Sequence, residues 1–112
     1  MARYLISFPD GAMSHIPDAD WTDVGEASHA VVREAKAAGV WIHGGGILRD
    51  VEVSVVSPDG TVTDGAGIPL PVGGFALLDV PTRDDALAWA AKIAAGCRCD
   101  QEVRALMPDP EA

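Results

Sequence analysis

Two segments with helical periodicity stand among strands that carry apolar residues on both faces, and this mismatch limits the folds open to the chain. Arg3 to Phe8 reads as a strand with Tyr4, Ile6 and Phe8 on one side and Arg3, Leu5 and Ser7 on the other. Phe75 to Val80 repeats the pattern, with Phe75, Leu77 and Asp79 opposite Ala76, Leu78 and Val80. Two helices can shelter only one side of such a sheet.

Between these strands the period changes. After Pro9-Asp10-Gly11 and a loop with Pro17, Asp20 is placed to cap a helix. Trp21, Val24, Ser28, Val31, Ala35 and Ala38 then share one stripe, flanked by Val32. Asp23, Glu26, His29, Arg33 and Lys36 fall on other faces, and Gly39 stops the helix. Val40 to His43 is a second strand, running through Gly44-Gly45-Gly46 into Ile47-Leu48. A glycine triplet inside a strand signals a bulge or a close approach by another backbone. Val51, Val53 and Val55 alternate as a third strand, and Ser57-Pro58-Asp59-Gly60 turns the chain into the hairpin arm Thr61-Val62-Thr63. A loop follows from Asp64 to Val72. After the Phe75–Val80 strand, Thr82 caps a second helix with Asp84 and Asp85 in its first turn, Ala86, Leu87, Ala90, Ile93 and Ala94 on its buried stripe and Gly96 as its stop. Glu102 to Met107 is the last strand.

The order is strand, helix, strand, strand, hairpin arm, strand, helix, strand. It predicts an α+β fold of ferredoxin-like βαββαβ type with an extra hairpin arm, its helices on one sheet face. The expected organisation is one domain over residues 1–108 and a frayed tail over 109–112. A chain of 112 residues buries roughly 60–70% of its unfolded surface, enough for one modest core. The second apolar sheet face then calls for a cover, and a homodimer that pairs two sheets is the expectation.

Charge narrows the partners. Seventeen acids against eight scattered bases give a net charge of −9, which repels phosphate backbones and anionic lipid. Nucleic-acid and membrane partners are therefore not expected. The apolar run Tyr4 to Phe8 is too short for a signal-peptide core or a membrane span. Cys97 and Cys99 lie two residues apart, where a bridge would be strained in extended backbone, so free thiols in a reducing cytoplasm are expected.

The chain also resembles the YCII-related family, including its DGPF branch. The resemblance is carried by Ala37-Ala38-Gly39-Val40, Gly44-Gly45-Gly46-Ile47-Leu48 and the run from Ser57 through Gly65. It continues with Gly73-Gly74-Phe75-Ala76-Leu77-Leu78-Asp79-Val80-Pro81, Asp85-Ala86-Leu87-Ala88-Trp89-Ala90 and Glu102-Val103-Arg104. It implies a ferredoxin-like subunit that dimerises into an α+β barrel, and for some DGPF-type members an accessory role beside a sigma factor. The naming tetrapeptide reads Asp64-Gly65-Ala66-Gly67 here, followed by Ile68-Pro69-Leu70-Pro71 in place of a polar stretch. The YciI-like branch is associated with a histidine–aspartate acid–base pair whose histidine lies on the first helix. This chain has only His29 there, without the surrounding motif, and that activity is not carried over.

Candidate site residues stand out by chemistry. His43 ends an apolar strand beside the glycine triplet, where an imidazole can serve as acid, base or ligand group; the plain alternative is a histidine bonded in the sheet or at the dimer seam. Asp79 shares a face with Phe75 and Leu77 and is a possible partner for His43, or else a strand-end carboxylate paired with Arg83 or backbone amides. Trp41, expected on the face opposite Val40 and Ile42, joins Gly44, Gly45 and Phe75 as a ligand-binding candidate, with core packing as the alternative for the tryptophans Trp41 and Trp89. His29 and His15 read as solvated side chains. His43-Gly44-Gly45-Gly46 matches an esterase oxyanion motif, but no Gly-x-Ser-x-Gly elbow accompanies it. Cys97-Arg98-Cys99 has no second pair to complete a zinc site, and no cofactor or metal is called for.

Three functions follow as expectations. The first is a dimeric module binding a small organic ligand near His43. The second is a dimeric α+β barrel enzyme doing acid–base or oxidative chemistry on a small enolisable or aromatic compound, with His43 and Asp79 as its catalytic pair. The third is a sigma-factor accessory.

Overall fold

The computed structural model describes residues 1–65, 67 and 71–112. Ala66 and residues 68–70, part of the loop between Asp64 and Val72, lie outside the described residues, and with them one residue of the replaced family tetrapeptide and three of the four that follow it. The elements in chain order are β1 (Ala2–Pro9), a 3-10 turn (Asp18–Asp20), α1 (Trp21–Ala37), β2 (Trp41–Gly46), β3 (Ser54–Val56), β4 (Val62–Asp64), β5 (Val72–Val80), α2 (Arg83–Cys97) and β6 (Glu102–Ala105).

Four strands form one antiparallel sheet in the order β2-β5-β1-β6, while β3 and β4 pair only with each other. The register between β1 and β5 sets Tyr4 against Leu78 and Ile6 against Ala76, so the residues of one parity from both strands share one face. That face carries the core: Tyr4, Ile6, Ala76, Leu78 and Val80 meet Ala35 of α1 and Ala86 and Ala90 of α2, with Val40 at the edge. Ile6, Leu78 and Val80 are wholly buried, each stabilising the fold by about 1.5–3 kcal/mol over an exposed position.

The helix ends show how local chemistry sets the boundaries. Gly39, at φ +75°, closes α1: its amide bonds to the Lys36 carbonyl and the Val40 amide to that of Ala35, the two bonds of a Schellman motif. At the other end the expected Asp20 side-chain cap is replaced. The 3-10 turn leads straight into α1, and the Asp20 carboxylate instead accepts from Arg98 at 2.8 Å. Thr82 caps α2 as expected, accepting from the Asp85 amide at 3.2 Å and donating to its carboxylate at 2.8 Å. The expected stop at Gly96 is corrected. The helix runs on to Cys97, and Arg98 takes the left-handed position at φ 55°. Gly96 is buried inside the helix, where a Cβ would meet the Ala27 carbonyl oxygen and the Ser28 Cα at 3.2 Å, so it serves the α1–α2 contact.

The third strand also departs from expectation. Only Ser54–Val56 pairs, in a separate two-stranded arm with Val62–Asp64, and Val51, Val53, Val55, Val56 and Val62 are exposed. The opposite sheet face holds Leu5, Phe75, Leu77 and Asp79, all half-buried, around Ser7, whose buried hydroxyl has no hydrogen-bond partner among the described residues. One chain does not close a barrel. The sheet has free edges at β2 and β6, and the molecule measures 43 × 42 × 19 Å. No helix among the described residues is long and apolar enough to cross a membrane.

Candidate functional site

α1 rests mainly on α2, and among the described residues its backbone comes nearest the sheet at the β2 edge, with Ala35 reaching the core. The close helix contact at Gly96 and the Lys92–Glu34 ion pair hold the two helices together. A cleft of about 510 Å³ opens between α1, the end of α2 and the glycine-rich end of β2.

The glycines shape this cleft by what they omit. A Cβ at Gly44 would lie 2.5 Å from the Phe75 carbonyl oxygen and 2.9 Å from the Ala76 Cα, so β2 can approach β5 this closely only without a side chain there. A bulge precedes the triplet: Trp41 pairs with Leu78 and His43 with Leu77, leaving Ile42 as the extra residue. The bulge corrects the expected placing of Trp41. Its ring turns to the helix side and packs against the core, while Ile42 is 41% exposed. On β5, Gly73 and Gly74 make room for the Phe8 ring, which a Cβ at Gly74 would meet at 2.6 Å. Phe8 thus lies along the cleft, helped by the shift in β1 pairing between Phe8 and Pro9.

Five of the six residues singled out from sequence line this one cleft: Trp41, His43, Gly44, Gly45 and Phe75. His43 is exposed, and its ring stands 6.4 Å from that of Phe75, tilted by 56°. Asp79 does not line the cleft. It shares the His43 face of the sheet, opposite Arg3, and no side-chain hydrogen bond or ion pair joins it to His43 or Arg83 among the described residues.

Sequence reasoning missed the opposite wall. Ser28, His29, Val32 and Lys36 of α1 line the cleft, facing the sheet across it. The signal was present, because His29, Val32 and Lys36 recur at three- and four-residue steps and so share a helix face. Placing the buried stripe on Trp21 through Ala38 hid that face. Only Val24 and Ala35 of α1 are in fact fully buried, and Trp21 is exposed. Met13, Ile93, Cys97 and Gln101 complete the lining.

The cleft lining includes His29 and Lys36 of α1, with His43 bordering it from the other sheet face at the β2 edge, in a chain of net charge −9. Cys97 is a free thiol whose pKa burial raises, and Cys99, also free, is pushed up to about 11 by burial and by neighbouring Cys97 and Asp100. Both therefore stay protonated near pH 7 and are weak nucleophiles. Among the described residues no cluster of three or more His, Cys, Asp and Glu is placed to hold a metal ion.

A second cleft, of about 450 Å³, lies at the base of the hairpin arm between Asp10, Ile47, Arg49, Glu52 and Val53. Its one basic group is engaged, since Arg49 Nε sits 3.0 Å from the Asp10 carboxylate. It holds neither an imidazole nor an aromatic ring, and so offers less chemistry than the α1–sheet cleft.

No family model matches the chain, and no curated protein matches it in sequence. Among solved structures it is similar to 5-chloro-2-hydroxyhydroquinone dehydrochlorinase (TftG) from Burkholderia phenoliruptrix AC1100, solved in complex with 2,5-dihydroxybenzoquinone. The TM-score is 0.56 at 17% identity, over 97% of each chain, which is a likeness of fold.

Proposed function

We propose that this chain binds a small, flat organic molecule carrying acidic hydroxyl or carboxyl groups in the α1–sheet cleft, and that it works as a homodimer. One observation carries the reading: the aromatic residues Phe8 and Trp41 line the same cavity as His29 and Lys36, and Phe75 and His43, which register on the other sheet face, border it at the β2 edge. Its size falls within the range of small-molecule sites, and apolar walls with a few convergent polar groups are their usual composition. Flat rings suit the aromatic lining, and the basic groups suit an anion that the rest of the surface repels. The 2,5-dihydroxybenzoquinone bound by the structural neighbour has this chemistry, a ring with acidic hydroxyls.

The subunit reading is a ferredoxin-like member of the YCII-related family. The strand order β6-β1-β5-β2 with both helices on one face supports it, as does the neighbour's match over 97% of the chain. The half-buried apolar residues on the other face support pairing into an α+β barrel.

Calorimetric titration with 2,5-dihydroxybenzoquinone tests the ligand. Binding in the micromolar to low millimolar range is expected, weakened about tenfold or more by His43→Ala and by Lys36→Met. No binding by the wild type, or unchanged binding by both variants, refutes the reading for this ligand class.

The neighbour's dehydrochlorinase activity favours a second reading, in which His43 moves a proton on the bound molecule. His29 is the other imidazole on the cleft. Asp79 joins such chemistry only through a contact made by the ligand or by the second copy. Chloride release from 5-chloro-2-hydroxyhydroquinone, lost in His43→Ala, is its expected signature.

A further inference from the structure

Among the described residues, the β3–β4 arm packs its backbone against none of the other helices or strands. Its strand pairing is reinforced within the arm by the Ser54 hydroxyl to the Asp64 carboxylate, the Ser57 amide to the Thr61 carbonyl at 2.8 Å, the Thr61 amide to the Asp59 carboxylate at 2.9 Å and the Gly65 amide to the Val53 carbonyl at 2.8 Å. Two strands of three residues are marginal in water on their own. Yet this arm is apolar on both faces. Val56 and Val62 pair directly across the strands at 64% and 59% exposure, and Val55 lies on the other side with Val53 and Val51 behind it.

From this we infer that the arm lies on a second copy of this chain, across the sheet face opposite the helices. Surface area supports that occupant. A compact monomer of 11.6 kDa exposes roughly 5,800 Å². This chain exposes 7480 Å², an excess of about 1,600 Å², where a standard interface removes about 800 Å² from each partner. The radius of gyration agrees, at 15.8 Å against about 13 Å for a compact domain of this length.

The open face offers Leu5, Phe75 and Leu77 as apolar surface, and its charges balance, Arg3 lying opposite Asp79 and Arg104 paired with Glu102 at 3.4 Å. Beyond Arg49 the arm's charged residues are all acidic: Asp50, Glu52, Asp59 and Asp64. That acidic surplus disfavours an anionic membrane as the arm's occupant, whereas the apolar, charge-balanced open face of a second copy does not repel it. Each copy supplies one arm and one face, so a two-fold pair satisfies both at once and leaves no remainder to polymerise.

This inference rests on the homodimer reading, and two variants separate them. Val56→Lys with Val62→Glu keeps an attractive cross-strand pair in the arm while removing its apolar surface. Leu77→Asp charges the open face. Sedimentation equilibrium is expected to give the wild type twice the chain mass. The arm variant should raise the dimer dissociation constant roughly tenfold or more, with an unchanged circular dichroism spectrum. An arm variant that pairs as tightly as wild type overturns the arm, and if Leu77→Asp still separates the copies the dimer stands without it. A wild type that is monomeric at high micromolar concentration overturns both. If the arm variant loses its fold, a photo-cross-linker at position 55 in a mixture of isotopically heavy and light chains decides. Heavy–light products to peptides containing Leu5 or Phe75 support the arm, and only intrachain products overturn it.

Discussion

Replacing Gly44 by alanine adds one methyl group where β2 and β5 come closest. The new Cβ would lie 2.5 Å from the Phe75 carbonyl oxygen, 2.8 Å from Trp41 Cη2 and 2.9 Å from the Ala76 Cα. Two of those three contacts are backbone, so no rotamer change relieves them, and β2 must shift by a good part of an ångström. Overpacking of this kind costs about 1–3 kcal/mol, offset by about 0.5 kcal/mol from the stiffer unfolded chain. A net loss of about 1.5 kcal/mol corresponds to a fall of roughly 6 °C in Tm for a domain of this size. Gly46→Ala is the control, because its Cβ would meet only the Gly73 carbonyl oxygen at an ordinary 3.9 Å. It should stay within about 0.5 kcal/mol of wild type. Urea denaturation with constant m-values measures both. A Gly44→Ala protein as stable as wild type, or a Gly46→Ala protein equally damaged, would refute the close-approach account of the triplet.

Other outcomes follow from single features. Gly25→Ala, in helical backbone with nothing within 4 Å of the added carbon, should stabilise by about 0.5–1 kcal/mol in chemical denaturation. Thr82→Ala removes the oxygen that accepts from the Asp85 amide and should cost about 1 kcal/mol by the same measure. The Cys99 thiol, near 9.0 when unfolded and about 11 when folded, contributes stability that is full below pH 9 and lost as the pH rises to about 11. A denaturation series across that window should show this decline, and Cys99→Ser should flatten it.

Strand and helix positions were legible because they depend on local periodicity. Tyr4, Ile6 and Phe8 against Leu5 and Ser7, or Thr82 before Asp84 and Asp85, announce their roles within a few residues. Gly96 reads as a stop for the same local reason, and that reason fails because its neighbours are Ala27 and Ser28, almost seventy residues away in the chain. The Trp41 face was hidden by the bulge at Ile42, since one extra residue inverts the alternation and nothing in Val40 to His43 marks it. His43, Gly44, Gly45 and Phe75 emerged from strand-end and glycine signals. His29 and Lys36 did not, because a helix presents a polar face to a cleft just as it would to water.

The most direct test of the α1–sheet cleft is a titration of the 15N-labelled protein with 2,5-dihydroxybenzoquinone, followed by amide chemical shifts. Saturable changes should concentrate at Gly44, Gly45 and Gly46 and at Ser28 through Lys36, with the arm base around Arg49 to Val53 unmoved. Changes centred on the arm base, or none at millimolar ligand, would contradict the placing of the site between α1 and the sheet.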